Sequence, residues 1–218
     1  MTTKLKKYLR RYTDLPALLH ILETESLTLL DPENWDDKND SYYLREYKNH
    51  KKLKSLLALC FSQISDTYHH WHVFASGTAG VCIEFHRDRL LELADRHDIR
   101  YGDVNYLTLK EARDGLCSRI ALDELPFIKR KAYKPEGEFR LIWQSDNEEK
   151  AAHEFPITLD CIYRITLSPW LHTAVARSVK SVLKSRTDVK INIYRSTLIS
   201  NQEWKQIGDD LLKESAHD

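Results

Sequence analysis

The chain has 218 residues, 42% of them hydrophobic, 10% aromatic and 30% charged, with six glycines and six prolines. At about 150 residues per domain this length predicts a single domain over residues 1–218, and so little glycine and proline excludes collagen-like, low-complexity and disordered chains. Thirty-three Lys and Arg balance thirty-three Asp and Glu, so no global field favours nucleic acid or an anionic membrane, and any such preference has to be local.

A mean hydropathy of −0.54, with no apolar run near the roughly 20 residues a bilayer requires, predicts a soluble protein with no membrane partner. The basic opening MTTKLKKYLRRYTDLPALL is broken by Asp14 and Pro16 and has no small-residue cleavage site, so it does not read as a secretion signal. Cys60, Cys82, Cys117 and Cys161 fit neither a zinc spacing nor a CxxC pair, which predicts buried free thiols and a cytoplasmic location.

Tyr8 to Tyr12 reads as a short strand. Behind Asp14, a helix-capping residue, Leu15, Leu18, Leu19 and Leu22 recur at helical spacing as far as Glu25. DPENWDDKND at 31–40 has loop composition, and a charged helical stretch follows up to Leu57. ALCFS at 58–62 and GVCIEF at 80–85 read as strands, with a helix over 66–75 between them that places Tyr68, Trp71, His72 and Ala75 on one face. A helix over 87–96, a strand over 99–106 and a helix over 109–122 come next. In EFRLIW at 138–143, Phe139, Leu141 and Trp143 alternate with Glu138 and Arg140, giving one core face and one polar face. A strand over 161–167, a helix over 174–184, a strand over 189–196 and an acidic helix complete the chain. This irregular interleaving predicts an α+β fold, with a mixed, mostly antiparallel central sheet and surrounding helices. Leu59, Val81, Ile83, Phe85, Phe139, Leu141 and Trp143 are its expected core.

Three generic sites can be weighed on spacing. The HHWH cluster, with His69 and His72, lacks the HExxH pattern and cysteine partners, so no metal is expected. SGTAG at 76–80 matches no phosphate-binding glycine pattern and reads as a turn. Basic runs at Lys4 to Arg11, at Lys129, Arg130, Lys131 and Lys134, and from Arg177 to Arg195 would form a nucleic-acid surface if they converged.

More specific are LRRYTD at 9–14, NWDDKND at 34–40, LCFS at 59–62, HHWHVFASGTAGVCIEF at 69–85 and YKPEGEFRLI at 133–142. In this order they resemble the bacterial family catalogued as domain of unknown function 2971, over most of the chain. More distantly, Arg11, Tyr12, Leu18, Ile21, Leu22 and Leu27 are similar to the opening strand and helix of ADP-ribosyltransferase-like domains. That resemblance implies NAD as the substrate cofactor, held by Arg11 and Tyr12 of the first strand, with Tyr68 or Trp71 stacked on a planar ring. It carries the catalytic roles to Ser62 and to Glu138 paired with Glu136. Where the family has an STS or tyrosine-led motif, this chain has CFS. The implied activity is ADP-ribose transfer to a macromolecule or NAD hydrolysis. For the same residues a plainer reading stands: Arg11 and Glu138 as an ion pair, Ser62 bonded to backbone and Trp71 in the core, with Glu84 a weaker alternative acid. The matching alternative is a non-catalytic module of a bacterial or phage defence or toxin system, binding nucleic acid or protein through Lys129, Arg130 and Lys131.

Overall fold

The structure, a computed structural model, describes residues 7–75, 77–116 and 120–215. It opens with β1 (Tyr8–Asp14) and α1 (Leu15–Thr24), and the Asp14 side chain accepts from Ala17 N at 2.8 Å to cap the helix. β2 (Ser26–Leu30), α2 (Lys38–His50), β3 (Ser55–Ser62), α3 (Tyr68–Phe74), β4 (Gly80–His86) and α4 (Arg87–Arg96) follow. The middle is built of short pieces: β5 (Arg100–Asp103), β6 (Asn105–Leu107), α5 (Leu109–Leu116) and β7 (Ile128–Arg130). Then come β8 (Glu138–Ser145), β9 (Ala152–Pro156), β10 (Ile162–Leu167), α6 (Thr173–Lys184), β11 (Asn192–Arg195) and α7 (Gln202–Ser215).

The fold is α+β. Among the described residues one large sheet runs β11-β10-β4-β1-β3-β2-β9, with β8 on β3 and β5 on β8. Its pairings are antiparallel except β10 with β11, and β6 with β7 form a separate parallel pair. Strand alternation sends Leu9, Leu59, Phe61, Val81, Ile83, Phe85, Phe139 and Leu141 to one face, where α1, α4 and α6 complete the main core. On the other face Leu56, Ala58 and Ile142 meet Leu44 and Tyr47 of α2, while Tyr12 and Cys82 meet Trp71 of α3 and Ala75 just after it. Both faces are therefore covered, and the polar residues that alternate with the core are themselves buried.

That double covering explains where the structure departs from the sequence reading. Ser55 to Leu57 belong to β3 rather than to a helix, because a strand buried on both faces is a continuous apolar run without a period of two. The strand expected over 99–106 divides at Val104, with β5 joining β8 and β6 joining β7. β2, β7 and β9 were not expected. β9 buries only Phe155 and carries no pattern to read. Helix α5 is described as far as Leu116, and the helix expected beyond it runs into residues outside the described ones. Trp143 is half-buried, stacked 4.3 Å from the His153 ring at the end of β8.

Two features shape the centre. β3 pairs with β8 over its whole length, but with β1 only at Arg10 and Ser62 and with β2 only at Leu30 and Ala58, so β1 and β2 fork away from it. Gly80 admits no side chain, since a Cβ there would stand 1.8 Å from the Ala75 carbonyl oxygen. Among the described residues no helix is long and apolar enough to cross a membrane.

Candidate active site

One transverse row of the sheet carries a run of polar residues. Register aligns Arg164 with Glu84, Glu84 with Arg10, Arg10 with Ser62, and Ser62 with Glu138. Glu138 opens β8 directly after Gly137, whose left-handed backbone (φ 53°) turns the chain so that Glu136 and Glu138 reach the same ammonium group. A side chain at 137 would also collide with Ile64.

Glu138 is buried in a network of five charged side chains. Arg140 clamps Asp40 of α2 through Nη1 and Nη2 at 3.0 and 2.7 Å, and its Nε donates to Glu138 Oε1 at 2.7 Å. Lys129 Nζ donates to Glu136 Oε2 at 2.7 Å and to Glu138 Oε2 at 3.2 Å. The Trp35 ring lies 5.1 Å from the Arg140 guanidinium and the Tyr133 ring 4.8 Å from Lys129 Nζ. Two cations thus face three carboxylates. Burial alone would raise the Glu138 pKa, but Arg140 and then Lys129 outweigh it and hold the carboxyl below its usual range. For Glu136 burial prevails over Lys129, and its pKa is raised. Adjacent acids driven in opposite directions are the arrangement from which an ionised carboxylate and a proton acceptor are drawn.

Around this pair the backbone is fully engaged. Glu138 N–H donates to Tyr106 Oη at 2.8 Å, and both Ser62 Oγ (2.7 Å) and His70 Nε2 (3.0 Å) donate to the Glu136 carbonyl. Where β1 forks from β3, the Cys60 carbonyl accepts from Arg11 Nη1 at 3.1 Å. The Cys60 thiol bonds to Glu138, and burial, then that carboxylate, push its pKa well up. Burial depresses Arg11, which makes no ion pair among the described residues.

Ser62, Glu136 and Glu138 are accordingly brought together by the β3–β8 register and the turn at Gly137, whereas the register aligns Arg10 rather than Arg11 with Ser62, and Arg11 reaches the Cys60 carbonyl at the fork, where it feels the Glu138 charge. Other expected residues lie elsewhere. Tyr12 is sealed with its ring edge-on to Trp71. Trp71 is wholly buried and its indole N–H is bonded to Asp66, so it offers no face to a ligand and belongs to the core. Tyr68 is 57% exposed and packs on His72 and Trp170. Lys129 is removed from the expected basic surface: its side chain is 9% exposed and committed to carboxylates. Arg130 and Lys131 are exposed, and Lys131 stands 3.8 Å from Glu111. Glu84 is buried rather than on a polar surface, held by Arg10 and by Arg164 Nε at 3.0 Å. Asp40 and the clamp role of Arg140 carried no signal beyond membership of two conspicuous blocks. The Asp40–Arg140 contact spans 100 positions.

A cavity of about 690 Å³ lies between Asp66 and residues 197–207, and another of about 260 Å³ between α1, α6 and the approach to β11. Glu138 lines neither of them. Among the described residues no group of three or more His, Cys, Asp or Glu side chains is arranged so that it could hold a metal ion.

No family model matches the chain, the 2971 family included, and no curated protein matches it. Among solved structures it is similar to DarT of Thermus sp. 2.9 in complex with ADP-ribosylated single-stranded DNA. That match has 11% identity, covers 90% of this chain and 97% of that one, and has a TM-score of 0.45. The complex of the same protein with carba-NAD+ gives 10% identity, 90% and 98% coverage and a TM-score of 0.45. The complex with NAD+ gives 12%, 89%, 98% and 0.43.

Proposed function

We propose that the chain cleaves the bond between nicotinamide and ribose in NAD, passing ADP-ribose to a nucleic acid, a protein or water. The observation that carries this reading is the buried pair of Glu138, held ionised by Arg140 and Lys129, and Glu136, whose pKa is driven the other way. Departure of nicotinamide with the bonding electron pair leaves positive charge on the ribose, and a preorganised carboxylate stabilises that charge more in the transition state than in the ground state. Glu138, held ionised, takes this role. Lys129, on a flexible four-carbon stem, occupies the side of Glu138 that the ribose needs and yields it on binding. The acceptor oxygen then bonds to the ribose carbon and gives its proton to Glu136, whose raised pKa suits proton acceptance. Ser62 fixes the Glu136 backbone, and the exposed Tyr68 ring remains available for stacking on a planar group. Arg130 at the end of β7 and Lys131 after it, both exposed, offer a basic rim to an anionic acceptor.

Incubation of the purified chain with NAD, followed by quantification of nicotinamide and by thermal melts with and without NAD, tests the reading. Release of nicotinamide is expected, with a raised melting temperature. A chain that neither releases nicotinamide nor shifts its melt does not act on NAD.

A further inference from the structure

The two most exposed large hydrophobic side chains among the described residues, Trp204 (76%) and Leu212 (72%), lie on α7. With Ile207 and Leu211 they follow the i, i+3, i+7, i+8 spacing of one helical stripe. Leu198 and Ile199, in the approach to the helix, are exposed as well, and with Trp204 and Ile207 they line the cavity of about 690 Å³. That cavity accompanies only the first half of the stripe. Its lining ends at Ile207, and the stripe continues past it through Leu211 and Leu212. Gly208 stands where the two halves meet, and a Cβ there would find nothing within 4 Å. A contiguous apolar surface of this extent marks an interaction site.

We propose that the occupant of this surface is the same helix of a second copy of the chain, in an antiparallel pair related by a two-fold axis between Ile207 and Gly208. The two halves of the stripe are complementary under that axis. Residue 204 of each copy comes level with residue 211 of the other, so the half that projects beyond one cavity fills the cavity of its partner. The missing side chain at Gly208 lets the helix axes approach where Ile207 of the other copy packs. Lys205 of each copy comes within one residue of the level of Asp209 of the other, on the same flank of the pair, so the charges beside the apolar seam are complementary. At their exposures the six apolar side chains leave on the order of 700 Å² per copy to be covered, near the roughly 800 Å² that each partner contributes to a stable interface. An anionic lipid surface suits the helix less well, because Glu203, Asp209 and Asp210 outnumber Lys205 and Lys213. The pairing is independent of the NAD reading.

Analytical ultracentrifugation of the full chain from about 1 to 200 µM reads the association directly, and wild type is expected to pass from the mass of one chain to that of two with a micromolar dissociation constant. Ile207→Asp sets a carboxylate at the axis beside its own symmetry mate and should weaken association by roughly tenfold or more. Gly208→Leu separates pairing from helix stability. Leucine is the better helix former and has open space in the single chain, so α7 should be no less stable, yet the side chain blocks the crossing and the dimer should be lost. Val175→Asp, at an exposed apolar position on α6, should associate like wild type. Thermal melts at a concentration where every variant is monomeric verify the fold. A wild type that stays monomeric throughout overturns the pairing, whether or not it binds phosphatidylcholine vesicles. So does a dimer that survives either Ile207→Asp or Gly208→Leu, or one that is lost in Val175→Asp.

Discussion

Glu84 and Glu138 occupy the same transverse row of one sheet, with two strands between them that carry the Arg10–Ser62 pair. Each alternates with core residues, each is buried, and each is met by arginine. Yet Glu84 faces two guanidiniums with no second acid in its cluster, so the surplus there is positive. Glu138 shares Arg140 and Lys129 with Asp40 and Glu136, so within its ion pairs acids outnumber bases. Burial and alternation identify both glutamates as charges inside the protein, and the local balance of charge separates a structural ion cluster from a centre that can meet a cation.

The comparison breaks most visibly at Arg140. Arg140→Met strips the guanidinium from two buried carboxylates at once, and urea unfolding is expected to show a loss of about 3–5 kcal/mol, the usual cost of breaking a buried pair on one side. A loss below about 1 kcal/mol would mean that Asp40 and Glu138 are not the charged, sealed partners described here. Glu84→Gln keeps the shape and one acceptor but removes the charge that holds Arg10 and the partly exposed Arg164. About 1–3 kcal/mol of stability should go, with nicotinamide release per folded molecule unchanged.

Acid titration sharpens the contrast within the ExE pair. A carboxyl whose pKa is lower in the folded state adds stability that is present above its ordinary pKa, near 4.5, and is lost as pH falls through the folded value. Wild type should therefore lose melting temperature more steeply than Glu138→Gln as pH falls below about 4.5. Glu136 has the opposite sign, since a raised folded pKa lowers stability as pH rises past its ordinary value, near 4.5. Glu136→Gln should gain on wild type over that rise. Parallel melting curves for the two variants would contradict the opposed environments. The smallest effect is expected at the rim: Arg130→Ala with Lys131→Ala should leave stability within about 0.5 kcal/mol. Retardation of RNA or DNA should weaken slightly and with a shallower salt dependence, because two phosphate contacts at most are removed.

What the sequence disclosed follows the physics of each element. α1 and α4 were legible because amphipathic helices on one core repeat their apolar residues at helical spacing, and the β8 pattern was legible at Phe139 and Leu141. The meaning of the alternate positions was not. Glu138, Arg140 and Glu84 read only as the polar side of their strands because alternation separates them from the core residues, whereas here α2 and α3 cover that side and bury it. Asp40 could not be placed from local pattern, since its partner lies 100 residues away. Lys129 looked like one member of a basic run, and only the left-handed turn at Gly137 brings two acids to it. The grouping of Arg11, Ser62 and Glu138 came from a resemblance; the register sets Ser62 beside Glu138 but aligns Arg10, not Arg11, with Ser62.

The proposed chemistry depends on the charge of one carboxylate, so the most direct measurement is nicotinamide release by wild type and by Glu138→Gln at equal folded concentration. Retention of the fold is verified by thermal melting. The substitution preserves shape and hydrogen-bonding capacity while removing the negative charge. A fall of roughly a hundredfold to a thousandfold in rate, equivalent to about 2.7–4 kcal/mol of transition-state stabilisation, is the predicted result. Full activity in Glu138→Gln would contradict it and leave the five-residue cluster as a purely structural device.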